Sequence, residues 1–235
     1  MEKQYTGSEL ELFSKAVNWK KYFSSFIRPY LKGKILEVGA GQGGTTEIFS
    51  DIVRDNEWLC LEPDKQLYDK LLSLKANNKS LSKSKTINGT LKDIPTKYRF
   101  DSILYIDVIE HIENASKELQ LAQKYLIKGG FLIILVPAHN FLYSPFDKSI
   151  GHQLRYNKKS LKDIIPKVLH KVNLSYLDSA GLLASAMNKL VLKQNIPTEK
   201  QILFWDNNLI KISKSLDKIL SFSIGKSLIG IWQKK

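Results

Sequence analysis

The stretch ILEVGAGQGG, Ile35–Gly44, limits the fold more than any other part of the chain. An apolar run of strand length enters a loop in which Gly39, Gly41 and Gly44 meet the spacing G-x-G-x-x-G. Glycines at such positions let the backbone turn sharply and let a helix or a ligand approach it closely. Beyond the loop, Ile48, Phe49, Ile52 and Val53 recur at helical spacing within Thr45–Val53. A strand, a glycine turn and a helix in that order open a βαβ unit, which needs parallel partner strands.

Those partners are legible downstream. EWLCLEP, TING, FDSILYID and IKGGFLIILVP read as the second to fifth strands, the last buried on both faces, and KVNLSYLD and SLIGIW as later ones. Helical patterns fill the gaps: one amphipathic helix over 8–31, opened by a Ser8–Glu11 capping box, then 64–74, a helix ending near Leu126, and 160–169, 181–192 and 200–222. The segment 75–85 reads as a polar surface loop. Alternation of this kind predicts an α/β, doubly wound, mainly parallel sheet with helices on both faces. The 235 residues suit one domain. Its expected parts are an N-terminal helical cap (1–31), a cofactor-binding core (32–136), an acceptor loop or lid (137–159) and a helical insertion (180–222).

Charge is unevenly spread. Residues 151–235 hold fifteen basic and five acidic side chains, whereas 31–150 hold sixteen and fifteen. The basic third reads either as a lysine-rich solvated surface or as a face for an anionic substrate or membrane surface. Ile202, Leu203, Leu209, Ile212, Leu216, Ile219 and Leu220 form a helical apolar face there, read chiefly as packing on the chain's own core. One cysteine, Cys60, excludes an internal disulfide and suits a reducing compartment. With a polar, acidic start and no long apolar run, the expected location is cytoplasmic, with attachment to a membrane periphery left open.

The residues around the glycine loop weigh one cofactor against another. Glu62, twenty-three residues after Gly39, stands where an acidic side chain would take ribose hydroxyls of any adenosine cofactor, NAD included. Glu37 sits two residues before the first glycine, where a pyrophosphate would be repelled. A carboxylate there suits a ligand with an ammonium group and no phosphate, and S-adenosylmethionine is such a ligand. An NAD-dependent oxidoreductase is therefore the rival reading, and it leaves Glu37 unexplained.

ILEVGAGQGG resembles motif I of the class I S-adenosylmethionine-dependent methyltransferases, and the resemblance spans nearly the whole chain. CLEPD is similar to the family's ribose-binding strand end, FDSILYIDVIEHIEN to its fourth strand and turn, and LIKGGFLIILVPAH to its fifth-strand hairpin. The resemblance implies a Rossmann-like fold with seven strands, the last antiparallel and at the sheet edge. It implies S-adenosylmethionine as cofactor and S-adenosylhomocysteine as product. It places Glu37, Gly39, Ala40 and Gly41 at the methionine moiety with Gly43 at the loop's end, Glu62 at the ribose, and Ile106 and Asp107 near the sulfonium. NGTLKD departs from the usual pattern, since Thr90 replaces an adenine-binding aspartate, leaving Thr90, the Leu91 backbone or Asp93 for that contact. Asn18, Trp19 and Tyr22 resemble an element that covers the cofactor, with core packing as the other reading of Trp19 and Tyr22.

For the acceptor, LYSPFDKSIGHQLRY resembles an element of a methyltransferase subgroup associated with glycan or cell-surface assembly. His139, Tyr143 and His152, all in the segment after the fifth strand, are the candidate bases, and Arg155 is a candidate clamp for an anionic acceptor. His152 and Arg155 as pins of the lid are the competing reading. His111 is read as orienting the turn, and His170 as surface. Methylation of an exocyclic base amine and of cytosine C5 are disfavoured, because YIDVIE lacks the first motif and Cys60 is misplaced for the second. The expectation is methyl transfer to a small-molecule, sugar or lipid-linked acceptor, oxygen slightly favoured over nitrogen or carbon. RNA methylation through the basic third is the alternative, nucleic acid being otherwise disfavoured. No metal is expected, and the sequence fixes no oligomeric state.

Overall fold

The computed structural model describes residues 9–189 and 197–235. Seven strands form one sheet: β1 (Lys34–Val38), β2 (Glu57–Glu62), β3 (Lys85–Asn88), β4 (Phe100–Ile106), β5 (Leu126–Pro137), β6 (Leu169–Leu177) and β7 (Ser227–Lys234), in the order β3-β2-β1-β4-β5-β7-β6. The first five pair in parallel, and β7 runs antiparallel to both β5 and β6. SLIGIW is therefore an interior strand and β6 the edge, correcting the expected placement. The chemistry agrees: Leu228, Ile229 and Ile231 are fully buried, while His170, Lys171 and Val172 on β6 are exposed.

Eleven helices are described: α1 (Glu9–Ser14), α2 (Val17–Ile27), α3 (Gly44–Ile48), α4 (Ser50–Asp55), α5 (Lys65–Asn77), α6 (Ala115–Tyr125), α7 (Pro145–Ser149), α8 (Lys158–Ile164), α9 (Ser179–Met187), α10 (Glu199–Phe204) and α11 (Ile210–Ile219). One apolar cluster, built on Leu36, Ile103, Tyr105 and Ile134, fills one face of the sheet. Another, built on Ile27, Ile35, Phe49 and Trp58, fills the opposite face. The alternation of β1 side chains, Leu36 to one face and Ile35 to the other, divides them.

Several helix boundaries differ from the expected ones. The N-terminal helix breaks at Lys15–Ala16, where Ala16 turns inward at 1% exposure and α2 begins afresh. Ser8 lies outside the described residues, and so does the end of the expected 181–192 helix. The expected 160–169 helix runs instead over Lys158–Ile164, and Pro166 opens a turn that leads into β6. The supposed loop 75–85 carries the end of α5 and a short turn that buries Leu81 completely and Ser84 nearly so. Between α10 and α11 a wide helical turn at Trp205–Leu209 turns Trp205 and Asp206 inward.

The acids of the basic third act largely inside this fold. Asp206 accepts from the amides of Asn18 and Trp19 and from the Asn18 side chain. Asp217 accepts from Tyr22 Oη and from the amides of Asp178 and Ser179, and Asp178 accepts from Gly181 N, Ser213 Oγ and Trp205 Nε1. Buried carboxylates satisfied in this way tie α2, α9 and α11 together. They leave Asp163 and Glu199 as the acids facing solvent among residues 151–235. The inward face of α11 carries Ile210, Ser213 and Asp217; of the expected apolar face Ile202 is buried in the core and Leu209 packs on it, whereas Ile212 and Ile219 point outward.

Candidate active site

A cleft of about 2090 Å³ opens at the carboxyl ends of β1, β2, β3 and β4. The strand order reverses between β1 and β4, the switch point where open α/β sheets bind ligands. Gly39, Ala40, Gly41, Glu62, Thr90, Ile106, Asp107 and Trp19 all line it.

The glycine loop is held open by Glu62. Its Oε2 accepts from Gly41 N at 2.7 Å and its Oε1 from Asp64 N at 2.9 Å, so one carboxylate links the loop to the start of α5. Burial raises its pKa, and the two amides pull it back. Gly39 lies at φ +68°, and a Cβ there would stand 2.7 Å from the Val108 side chain, closing the cradle. Asn88 and Gly89, at the end of β3, complete this wall, and Asn88 Nδ2 donates to the carbonyls of Glu62 and Pro63.

Four expected cofactor residues stand elsewhere. Glu37 is 2% exposed and lies beneath the loop rather than on the cleft wall, its Oε2 accepting from Thr46 Oγ1 at 2.7 Å and Trp58 Nε1 at 2.9 Å. Burial pushes its carboxyl up to about 7, against those hydrogen bonds. Gly43 caps α3, where a Cβ would meet Leu71 and Leu74 within 2.8 Å; it serves helix packing, not the cleft. Leu91 is fully buried and its carbonyl accepts from Tyr125. Asp93 is spent on a capping box with Thr90.

At the far end of the cleft a lid folds over from β5. Its anchor is Asp147, fully buried in the first turn of α7. Arg155 donates to it twice, at 2.9 and 3.0 Å, Ser144 donates from N and Oγ, and His152 Nδ1 lies 2.8 Å from Oδ1. Despite burial, these donors hold its carboxyl well below the usual range. The geometry gives Arg155 and His152 the lid-pinning contacts, yet both also line the cleft. Tyr143 does not: its hydroxyl donates to the His152 carbonyl at 2.7 Å. Nor does His139, which stacks on Tyr176 outside the cleft, centroids 4.7 Å apart. Neither lines the cleft, against the expectation that they stand there as bases.

Opposite the lid stand Asp107, Glu110 and His111. Asp107 takes the left-handed backbone conformation, φ +54°, and is open to the cleft while ringed by protein; that enclosure pushes its carboxyl up to about 6, with His152, Lys226 and Arg155 pulling it down. Burial and His152 together lower His111 to about 4. Lys226, at the start of β7, also lines the cleft with its ammonium 4.6 Å from the Trp205 ring centroid. Asn88 and Glu110 lay inside the stretches NGTLKD and FDSILYIDVIEHIEN without a role of their own, and nothing in the sequence marked Lys226, whose place depends on β7 reaching the cleft.

The fold and the cleft define an adenosine-cofactor α/β protein. Residues 14–179 match the family model described as "Methyltransferase domain", and the chain belongs to that family. It is an S-adenosylmethionine-dependent methyltransferase of class I. Among solved structures, a SAM dependent methyltransferase from Archaeoglobus fulgidus is similar at a TM-score of 0.62 and 16% identity, covering 97% of this chain and 100% of that one. Coclaurine N-methyltransferase bound to N-methylheliamine and SAH gives 0.63 and 13%, covering 93% and 72%. A putative methyltransferase of Haloferax volcanii, in complex with the Trm112 methyltransferase activator, gives 0.65 and 12%, covering 97% and 94%. At these identities the likeness is one of fold. No curated protein sequence matches the chain significantly.

Proposed function

We propose that the protein methylates an oxygen of a small-molecule, sugar or lipid-linked acceptor by in-line displacement. The observation that carries this reading is the cleft's size and division. A pocket for one drug-sized ligand measures about 300–1,000 Å³, and about 2090 Å³ leaves room for a cofactor and an acceptor together. The wall around Gly39, Gly41, Glu62 and Asn88 is the cofactor end. The titratable wall around Asp107, Glu110, His111 and His152 is the acceptor end.

When bound, S-adenosylmethionine supplies an electrophilic methyl group on a good leaving group. Glu62 is placed for the ribose hydroxyls, the amides and carbonyls of residues 39–41 for the methionine moiety, and Thr90 and Asn88 for the adenine side. Glu37 acts from below, fixing Thr46 and Trp58 and so the loop's seat. Trp19 and the Trp205 it packs against, centroids 6.0 Å apart, cover the cleft from α2 and the helical insertion. Alignment and exclusion of water then account for much of the acceleration. A hydroxyl acceptor must also lose its proton at that end of the cleft, which His152, oriented by Asp147, helps to line.

The unpartnered Arg155 Nη1 and the nearby Lys226 favour an acceptor carrying negative charge. Exposed Phe204, Ile212 and Ile219 among the lysines of the last third favour a lipid-linked one, presented at an anionic surface. The test is methyl transfer from labelled S-adenosylmethionine to a panel of free sugars, phosphorylated sugars, lipid-linked sugars and RNA. Transfer to a hydroxylated sugar or lipid-linked acceptor is expected; transfer to RNA alone would replace this reading.

A further inference from the structure

Glu110 is the most exceptional side chain in the cleft. It is fully buried, and neither carboxylate oxygen has a hydrogen-bond partner. A buried carboxylate is costly unless something positive or donating meets it. What faces it are two imidazoles. His152 Nε2 lies 3.9 Å from Glu110 Oε1, and the His111 ring meets the His152 ring edge-on with centroids 4.6 Å apart. One ligand atom from each of the three residues lies within 4.8 Å of the other two.

The rings are fixed from behind in the way metal-bound histidines usually are. His152 commits Nδ1 to Asp147, itself locked by Arg155 and Ser144, which leaves Nε2 free toward Glu110. The Gly151 backbone contributes a hydrogen bond to His111. A carboxylate or carbonyl on the outer nitrogen sets the tautomer and aims the inner one.

We propose that Glu110, His111 and His152 bind a divalent transition-metal ion at the acceptor end of the cleft. Two imidazole nitrogens and one carboxylate suit Zn²⁺, Mn²⁺, Fe²⁺ or Co²⁺, and such a set leaves coordination positions open. All three residues line the cleft, where the acceptor would sit. This deepens the methyl-transfer reading and rests on it in one respect: the cation holds the acceptor's hydroxyl oxygen and its proton leaves to solvent. The oxygen's electron pair then forms the new bond to the methyl carbon as the carbon–sulfur bond breaks toward sulfur. His152 thus acts as a ligand rather than as a direct base.

The test is titration of the chelator-treated full chain with Co²⁺, read by its visible absorption, and with Mn²⁺, read by loss of the free-ion magnetic resonance signal. S-adenosylhomocysteine binding is measured on the same samples by calorimetry. One equivalent of Co²⁺ is expected, weakened at least tenfold by Glu110→Gln and by His152→Ala. Asp147→Asn, acting through His152, should weaken it about 10–100-fold. His170→Ala, on the exposed edge strand, should change nothing. Variants that still bind S-adenosylhomocysteine are folded, so lost metal binding in them is local. No stoichiometric Co²⁺ or Mn²⁺ binding by the wild type overturns the proposal, and so does binding that survives in the Glu110→Gln, His152→Ala double variant. Metal binding without S-adenosylhomocysteine binding would instead count against the cofactor site.

Discussion

Replacing Asp147 by Asn keeps the side chain's shape and removes the charge at the centre of the lid. In the native structure Asp147 has 1% and Arg155 11% side-chain exposure, so solvent screens this pair little. Breaking a buried ion pair by neutralising one partner costs about 3–5 kcal/mol, because the other charge stays buried. If the lid and the sheet unfold together, the melting temperature should drop by about 6–20 °C, taking about 2–4 °C per kcal/mol for a chain of this length. If the lid opens alone, the same energy raises the exchange of its amides by two to nearly four powers of ten. Thermal melting together with hydrogen exchange of residues 144–156 separates the two. Acid should imitate the variant. The Asp147 pKa is depressed by folding, so its contribution is present above the unfolded value of about 4 and is lost as pH falls through the native value. A melting temperature within about 2 °C of wild type with unchanged lid exchange would refute the claim that Asp147 holds the lid.

Glu37 gives the opposite pH dependence: its native pKa of about 7 lies above the unfolded value, so stability falls by about 3 kcal/mol as pH rises from about 4.5 to 7. Glu37→Gln should therefore be more stable than wild type at pH near 8 and not near pH 4, by denaturant titration; equal gains at both would contradict the assignment. Glu62→Gln loses a charge that meets Gly41 and that we assign to the cofactor's ribose, so S-adenosylhomocysteine affinity should drop about 10–100-fold by calorimetry. Gly43→Ala places a Cβ against Leu71 and Leu74 at φ +90°, which should cost about 2 kcal/mol or more and appear as a lower unfolding midpoint.

The cofactor half of the protein was legible because its signals are local. An apolar strand, a glycine loop and an acid at the next strand's end sit within twenty-eight residues, Ile35–Glu62. The family model and the fold agree with that reading. What the sequence hid depends on distant partners. β7 is apolar whether it lies inside or at the edge, and only pairing with β6 decides. Leu81 sits in a lysine- and serine-rich run, yet one leucine there meets the core through a short turn. α11 turns Ser213 and Asp217 inward because the α9 N-terminus and Tyr22 supply the donors, overriding the apolar periodicity. The acceptor end is the extreme case, for Glu110 and His111 meet His152 across forty-one residues of chain that show no ligand spacing.

The most direct measurement is calorimetric titration of the wild-type protein with S-adenosylhomocysteine, S-adenosylmethionine and NAD in parallel. The account predicts that the first two bind one to one and that NAD does not, as an S-adenosylmethionine-dependent methyltransferase requires. Binding of NAD with neither adenosylated ligand would contradict it.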